Sequence, residues 1–450
     1  MTTLIWFRDD LRLADHAALT AAAEDEDGVI ALYVLDEESE ECRPLGGAAR
    51  WWLHGSLERL AAALAERGVP LVLRRGRAER VVPELVAETG AERVRWNRRY
   101  GAERHVDARI KRRLRSEGVD ARSLPGGLLF EPWTIQTGTG GHYRVFSPFW
   151  RACLAAPAPP RPLTPPKAIR RAPRKPRRAP RQPASESLGD WGLRPSRPDW
   201  AAGIAARWEP GEDAARGRLD DFLDGPVGEY AHRRDIPAER STSELSPHLR
   251  WGEISPRTVW HRSLGSGAEA GAFLSELGWR EFAWHTAYHR GPLQLRGLDP
   301  RFDGFPWRPA EGPEWQAWRR GTTGYGLVDA GMRELWETGT MHNRVRMVAA
   351  SFLTKNLMID WRIGEAWFWD TLVDADAASN PFNWQWVAGC GADAAPYFRI
   401  FNPETQQRSF DPSGRYVTRW APESAAIPPV VDLRATRLRA LAAYDAVRGA

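Results

Sequence analysis

Leu4-Ile5-Trp6-Phe7, closed by the charged run Arg8-Asp9-Asp10, is the stretch on which the fold turns. Four apolar residues ending in a polar corner suit one buried strand and are too few for a helix. Working outward, similar runs recur at residues 29–35, 69–73 and 94–96, and amphipathic helical patterns lie between them at 51–67 and 102–115. Strand–helix alternation at this spacing predicts a parallel α/β sheet with right-handed crossovers over residues 1–130. No Gly-x-Gly-x-x-Gly follows the first run, so the fingerprint of a dinucleotide-binding turn is missing.

Beyond residue 130 the pattern changes. Residues 131–216 read as an interdomain linker, and within it residues 157–183 hold ten Pro, nine basic residues and no acid. Such a composition makes an extended, solvated connector. From 217 to 450 strand signals fade and helical ones dominate, at 271–289, 327–337, 341–357 and 363–372. Fourteen of the 23 Trp fall between positions 251 and 420, so the second domain is expected to be all-α and rich in aromatic rings.

Composition narrows the function classes. The chain has 450 residues, 42% of them hydrophobic and 27% charged, which excludes a disordered or fibrous protein. The net charge of +5 is concentrated in the Pro/Arg stretch and the remainder is net acidic, so any nucleic-acid site must be argued locally. Lys111, Lys167, Lys175 and Lys355 are the only lysines among 63 basic residues. Cys42, Cys153 and Cys390 are too few and too scattered for a disulfide framework, and no Cys/His cluster suggests a metal. The N-terminus reaches Arg8 after one short apolar run, and no segment is long enough to span a membrane. A cytoplasmic protein with no metal is therefore expected, and it is read as a monomer.

Several clusters have the chemistry of a site. Glu276, Trp279 and Arg280 fall at i, i+3 and i+4, which sets a carboxylate, a π surface and a guanidinium on one helix face. Asn343 and Arg344 lie one helical turn before Met347, four and three residues away. Thr242-Ser243-Glu244-Leu245-Ser246-Pro247 offers hydroxyls and a Pro at a helix start, suited equally to capping and to seating a phosphate. Trp384 and Trp386 cannot share a helix face and must serve different neighbours.

Taken in order, these segments resemble the photolyase/cryptochrome family along nearly the whole chain. The carriers are Trp6-Phe7-Arg8-Asp9-Asp10-Leu11-Arg12, Thr242 to Ser246, Trp279-Arg280-Glu281-Phe282, Gly324-Tyr325, Met341-His342-Asn343-Arg344-Val345-Arg346-Met347, Trp384-Gln385-Trp386 and Tyr397-Phe398-Arg399-Ile400-Phe401-Asn402-Pro403. The resemblance implies an α/β, Rossmann-like antenna domain and an all-α C-terminal domain that binds FAD, active in its reduced form. By motif position Tyr230, Thr242, Ser243, Glu244, Leu245, Ser246, Asn343, Asp374, Ala375 and Asp376 are expected at FAD, with Asn380 facing flavin N5. Trp384, Trp361 and Trp307 map to the family's electron-relay tryptophans.

The substrate-facing positions resemble those of class I cyclobutane pyrimidine dimer photolyases. On that likeness Glu276 would hydrogen-bond a dimer base, Trp279 and Trp386 would cradle its rings, and Met347 would pack against it. Arg234, Arg280, Arg344 and Arg399, with Asn343, are expected to meet UV-damaged DNA. A (6-4) photolyase would be expected to carry His where Met347 stands, and a blue-light cryptochrome would not need the two-Trp cradle. Folate-binding photolyases carry an Asn-Glu pair on the α/β domain. The matching positions here are read as Glu103-Arg104, which weakens the case for methenyltetrahydrofolate and leaves a deazaflavin, FMN or no antenna open.

Overall fold

The computed structural model describes residues 1–24, 28–169, 183–393 and 398–448. Residues 170–182 of the Pro/Arg stretch, and Tyr397 of the last motif, lie outside the described residues. Five parallel strands, β1 (Thr2–Phe7), β2 (Gly28–Leu35), β3 (Leu71–Arg75), β4 (Arg93–Asn97) and β5 (Asp120–Leu124), form one sheet in the order β3-β2-β1-β4-β5. In β1 the side chains alternate between two buried layers. Ile5 and Phe7 join α1 (Ala17–Glu24) and α2 (Gly47–Ala65) on one face, while Leu4 and Trp6 join α3 (Ala78–Thr89) and α4 (Arg104–Ser116) on the other. A strand covered on both faces reads as a continuous apolar run, which is why its sequence was decisive. β5, Asp-Ala-Arg-Ser-Leu, gives no such signal because it is an edge strand with one buried residue at its second position.

The strand order reverses between β1 and β4. In open α/β sheets the crevice beyond the carboxyl ends of two such strands is where ligands bind.

Residues 131–216 are more than a connector. Phe146–Ala155 packs on the long Gly271–Arg290 helix, with Phe149 and Phe282 centroids 5.1 Å apart, and Trp208 packs edge-on against Trp52 at 5.5 Å. Proline-rich surroundings mask these short amphipathic pieces in the sequence. The expected helix over 341–357 starts instead at Asn343, where the His342 ring accepts the Arg344 N–H at 3.2 Å. It ends in a π-turn over Phe352–Asn356 that buries Lys355, whose Nζ donates to the Ala388 carbonyl at 2.6 Å.

Polar side chains buried at the seam hold the two domains together. Arg12 donates to the carbonyls of Gly252 at 2.9 Å and Gly126 at 3.0 Å, and Asp15 pairs with Arg257 at 2.8 Å. Glu253 is fully buried and accepts from Trp52 Nε1 at 3.1 Å and from the Gly211 N–H at 2.7 Å. Gly252 has φ +64°, and a Cβ there would lie 2.1 Å from the Asp9 carbonyl, so only glycine lets the domains approach this closely. Among the described residues no helix is long and apolar enough to cross a membrane, and no cluster of His, Cys, Asp and Glu could hold a metal.

Candidate functional site

A cavity of about 470 Å³ opens in the helical domain. Its walls come from segments far apart in sequence: the 230–250 region, the Gly271–Arg290 helix, the Asn343–Ser351 helix, and residues 372–387. Of the residues singled out from sequence, Tyr230, Ser243, Leu245, Ser246, Asn343, Asp374, Ala375, Asp376 and Asn380 line it, as do Arg234, Glu276, Trp279, Arg280, Arg344, Met347, Trp384 and Trp386.

Thr242 and Glu244 are not in the lining. Glu244 has a φ of +51°, and this left-handed turn aims its carboxylate away from the cavity, where Arg207 and Arg218 clamp it. The turn in exchange delivers Ser243 and Ser246 inward. Ser246 Oγ donates to Asp374 at 2.7 Å, and Asp374 also receives Arg346 through two bonds at 2.9 and 3.1 Å. Arg346 was not singled out from sequence, although it stands two residues after Arg344 in the same motif.

Asp376 accepts the N–H groups of Ala378 and Ser379, at 2.8 and 2.5 Å, and so starts the Ser379–Ala388 helix. That helix presents Asn380 and Trp384 one turn apart, with Trp386 half a turn further on. Asn380 is nearly buried, and its Nδ2 donates to Glu365 twice, to Oε1 at 2.7 Å and to the backbone carbonyl at 3.1 Å. Trp384 lies against Gly364, so close that a Cβ there would sit 2.2 Å from its ring.

The opposite wall carries the π surfaces and charges. Trp279 stacks on Phe146 at 3.8 Å, which fixes the ring's plane. Glu276 forms an ion pair with Arg234, and Arg234 lies 5.3 Å from the Tyr230 ring centroid. Burial pushes the Tyr230 hydroxyl up to about 12, so this phenol stays protonated. Arg344 pairs with Asp235 at 2.7 Å and lies over Phe410 at 4.4 Å. Arg280 spends its guanidinium on the carbonyls of Gly127 and Leu249 and on Glu281, which makes it a tie between segments. Arg399 sits outside the lining, over the Trp386 ring at 5.4 Å.

A line of rings leaves the cavity. Trp384 meets Trp318 at 6.4 Å, Trp318 stacks on Trp315 at 5.5 Å, Trp315 meets Trp367 at 6.4 Å, and Trp367 stacks on Trp336 at 6.1 Å. Trp336 is 60% exposed. Of the relay expected from sequence, Trp361 is buried at the start of the Trp361–Thr371 helix that Trp384 packs against, and Trp307 contacts Phe305 at 4.3 Å.

A second, smaller cavity of about 70 Å³ lies between the domains at the reversal point of the sheet, lined by Asp9, Arg43, Glu103, Arg250, Trp284 and Trp369 among others. Glu103 Oε2 and Trp284 Nε1 are buried there without a hydrogen-bond partner, and burial holds the Glu103 carboxyl above its usual range. Glu103 thus places a buried carboxyl in this cavity, one position before Arg104. Arg104 instead lies over Tyr288 at 4.6 Å and donates to backbone carbonyls. Arg250 and Asp376 line both cavities.

Comparison with known proteins agrees with this anatomy. Residues 3–167 match the family model described as DNA photolyase, and residues 273–445 match the model described as the FAD binding domain of DNA photolyase. The deoxyribodipyrimidine photo-lyase of Agrobacterium fabrum (strain C58) is 47% identical over 479 residues, covering 99% of this chain and 98% of that protein. This chain belongs to the DNA photolyase family. Its helical domain is the photolyase FAD-binding domain, and FAD is its cofactor. A bacterial class III photolyase from Agrobacterium tumefaciens superposes with a TM-score of 0.93 at 46% identity, covering 100% of this chain and 98% of that one. Cryptochrome-1 of Arabidopsis thaliana is 37% identical, covering 95% of this chain and 63% of that protein. The donor set fits the cofactor: hydroxyls of Ser243 and Ser246 beside the Asp374–Arg346 pair suit its phosphate and ribose side, and the Asn380 amide suits the edge of a planar heterocycle.

Proposed function

We propose that this photolyase repairs cyclobutane pyrimidine dimers in DNA under near-UV or blue light. The observation that carries the reading is the convergence, on one cavity, of Glu276, Trp279, Met347 and Trp386 with the cofactor-side residues Asn343, Asp374 and Asn380. A lesion inside a duplex reaches such a cavity only by being flipped out, at a cost of a few kcal/mol that is smaller for a poorly stacked dimer. Stacking on Trp279 and Trp386 offsets part of it, on the order of 1–3 kcal/mol per base. Bound FAD supplies, when reduced and excited, an electron that the dimer returns after its ring opens. The protein's residues hold the lesion and shape the field around it. Glu276 offers a carboxylate oxygen to accept a pyrimidine N3–H, and Arg234, Arg344 and Arg399 supply cations for flanking phosphates.

Met347 faces the cavity where a (6-4) photolyase would need a proton donor, which favours cyclobutane dimers as the substrate. Among the subclasses, the similarity to a class III photolyase leads us to carry class III forward in place of class I. The interdomain cavity, with an acceptor carboxylate and an indole N–H lacking partners, suits the amino and oxo edge of a heterocyclic antenna and brings a folate back among the options.

The similarity to Cryptochrome-1 supports a second reading, a light receptor that signals without repair. Illuminating purified protein with dimer-containing oligonucleotide separates the two. Restored pyrimidines are expected, and their absence from reduced, lesion-bound protein would overturn the repair reading.

A further inference from the structure

Asn380 does not hold its own orientation. An Asn amide presents either an acceptor or a donor to a neighbouring group, and the surrounding network decides which. Here both bonds made by Nδ2 go to Glu365, to Oε1 at 2.7 Å and to the backbone carbonyl at 3.1 Å. Reversing the amide would set Oδ1 against two acceptors, so the oxygen is the end left for the cavity. Glu365 is itself only 1% exposed, and its carboxylate is gripped by a two-pronged bond from Arg43, Nη1 to Oε1 at 2.7 Å and Nη2 to Oε2 at 2.9 Å. Parallel N–H···O bonds of this kind fix direction as well as charge. Arg43 is in turn seated on the Trp369 ring at 4.1 Å, and Trp369 Nε1 donates to the Pro44 carbonyl at 2.9 Å, which ties down the segment carrying Arg43. Arg43 precedes α2 and belongs to the α/β domain, whereas Glu365 and Asn380 belong to the helical one.

We propose that Arg43 is a positioning residue for Asn380: acting across the domain interface through Glu365, it keeps the amide oxygen turned toward the flavin. This rests on the reading that Asn380 faces flavin N5. An acceptor at that place pairs with the N5–H of reduced flavin and opposes the lone pair that N5 carries when oxidised, so the arrangement favours the reduced cofactor that repair requires. Without Arg43 the Glu365 side chain loses the partner that holds its carboxylate against Asn380, and an uncompensated buried charge favours its moving away. Only the Glu365 backbone carbonyl, at 3.1 Å, then still holds the amide, so turning its NH₂ to the cavity opposes one acceptor in place of two.

The test uses FAD-loaded protein, reduced and then exposed to air in the dark, with the rate of flavin re-oxidation and the midpoint potential as readouts. Arg43→Ala is expected to re-oxidise about tenfold faster, the factor set by one hydrogen bond of ordinary strength, and to shift the potential downward. Arg43→Lys, which keeps the charge, is expected to restore most of the parent behaviour. Glu365→Gln is close to isosteric and leaves the amide held only by the backbone carbonyl, so it is expected to move the same way as Arg43→Ala and decides the matter if the alanine variant loses FAD. Asn380→Ala separates the two levels of the argument. If it changes the rate while Arg43→Ala and Glu365→Gln match the parent, the positioning role is overturned and the reading of Asn380 stands. If Asn380→Ala also matches the parent, Asn380 does not face the flavin and the inference falls with it.

Discussion

The ring of Trp336, at the surface, lies parallel to that of Trp367, with planes 8° apart and centroids 6.1 Å apart. Together with Trp315 and Trp318 they connect Trp384 to solvent by a path separate from Trp361 and Trp307. If both paths carry electrons, each alone keeps flavin photoreduction going. Trp361→Phe and Trp336→Phe are therefore each expected to slow photoreduction a few-fold, and the double variant to slow it far more than the product of the two. Multiplicative behaviour, followed by absorbance under steady illumination, would leave a single functional path.

Arg344 is engaged by Asp235 at 2.7 Å with both side chains partly exposed. A DNA phosphate must compete with that carboxylate. Asp235→Asn is expected to tighten DNA binding, and Arg344→Ala to weaken it and to lower the slope of log K against log salt by about 0.9, the share of one phosphate contact. Binding titrations at several salt concentrations check both.

Glu276 shares its carboxylate with Arg234 inside the cavity. Glu276→Ala is expected to lower repair yield per absorbed photon several-fold while FAD content changes little, because the variant loses the acceptor for a pyrimidine N3–H and the partner that holds the Arg234 cation where charge develops on the dimer. Normal yield with reduced FAD occupancy would make the residue scaffold.

Glu281 is buried beside Arg280 and accepts the N–H of Leu129 at 2.9 Å and of Phe130 at 3.2 Å, yet burial wins and pushes its carboxyl up to about 7. The folded state then holds a proton that the unfolded chain releases near its ordinary value of 4.5. Its contribution to stability is present below that value and is lost as pH rises toward 7, by at most about 1.4 kcal/mol per pH unit. His285 and His342, held down at about 3 and about 4 by burial, push the curve the other way over an overlapping range. The comparison to make is parent against Glu281→Gln at each pH, where the histidines cancel. The variant is expected to gain on the parent as pH rises from 4.5 to 7, measured by denaturant unfolding.

Much of this was legible before the structure. The buried strand β1 announced itself because both of its faces are covered, and the residues at helical spacing, such as Glu276 with Trp279, do share one wall. What stayed hidden depends on pairs that sequence spacing cannot relate. Arg346 finds Asp374 28 residues later, and Arg43 finds Glu365 322 residues later. Glu244 misled for a local reason, since a left-handed turn reverses which side its carboxylate faces. Glu103 and Arg104 part company because one position moves a side chain by more than a quarter turn.

The seam carries a consequence for how the gene can be cut. The Gly252 carbonyl accepts from Arg12, and the carboxylate of Glu253 accepts from Trp52 across the same boundary, so each half made alone would bury acceptors with nothing to receive or face water with an apolar flank. The two halves, expressed separately, are expected to be recovered soluble only when they are made together, and their complex to unfold in a single step and to keep the flavin.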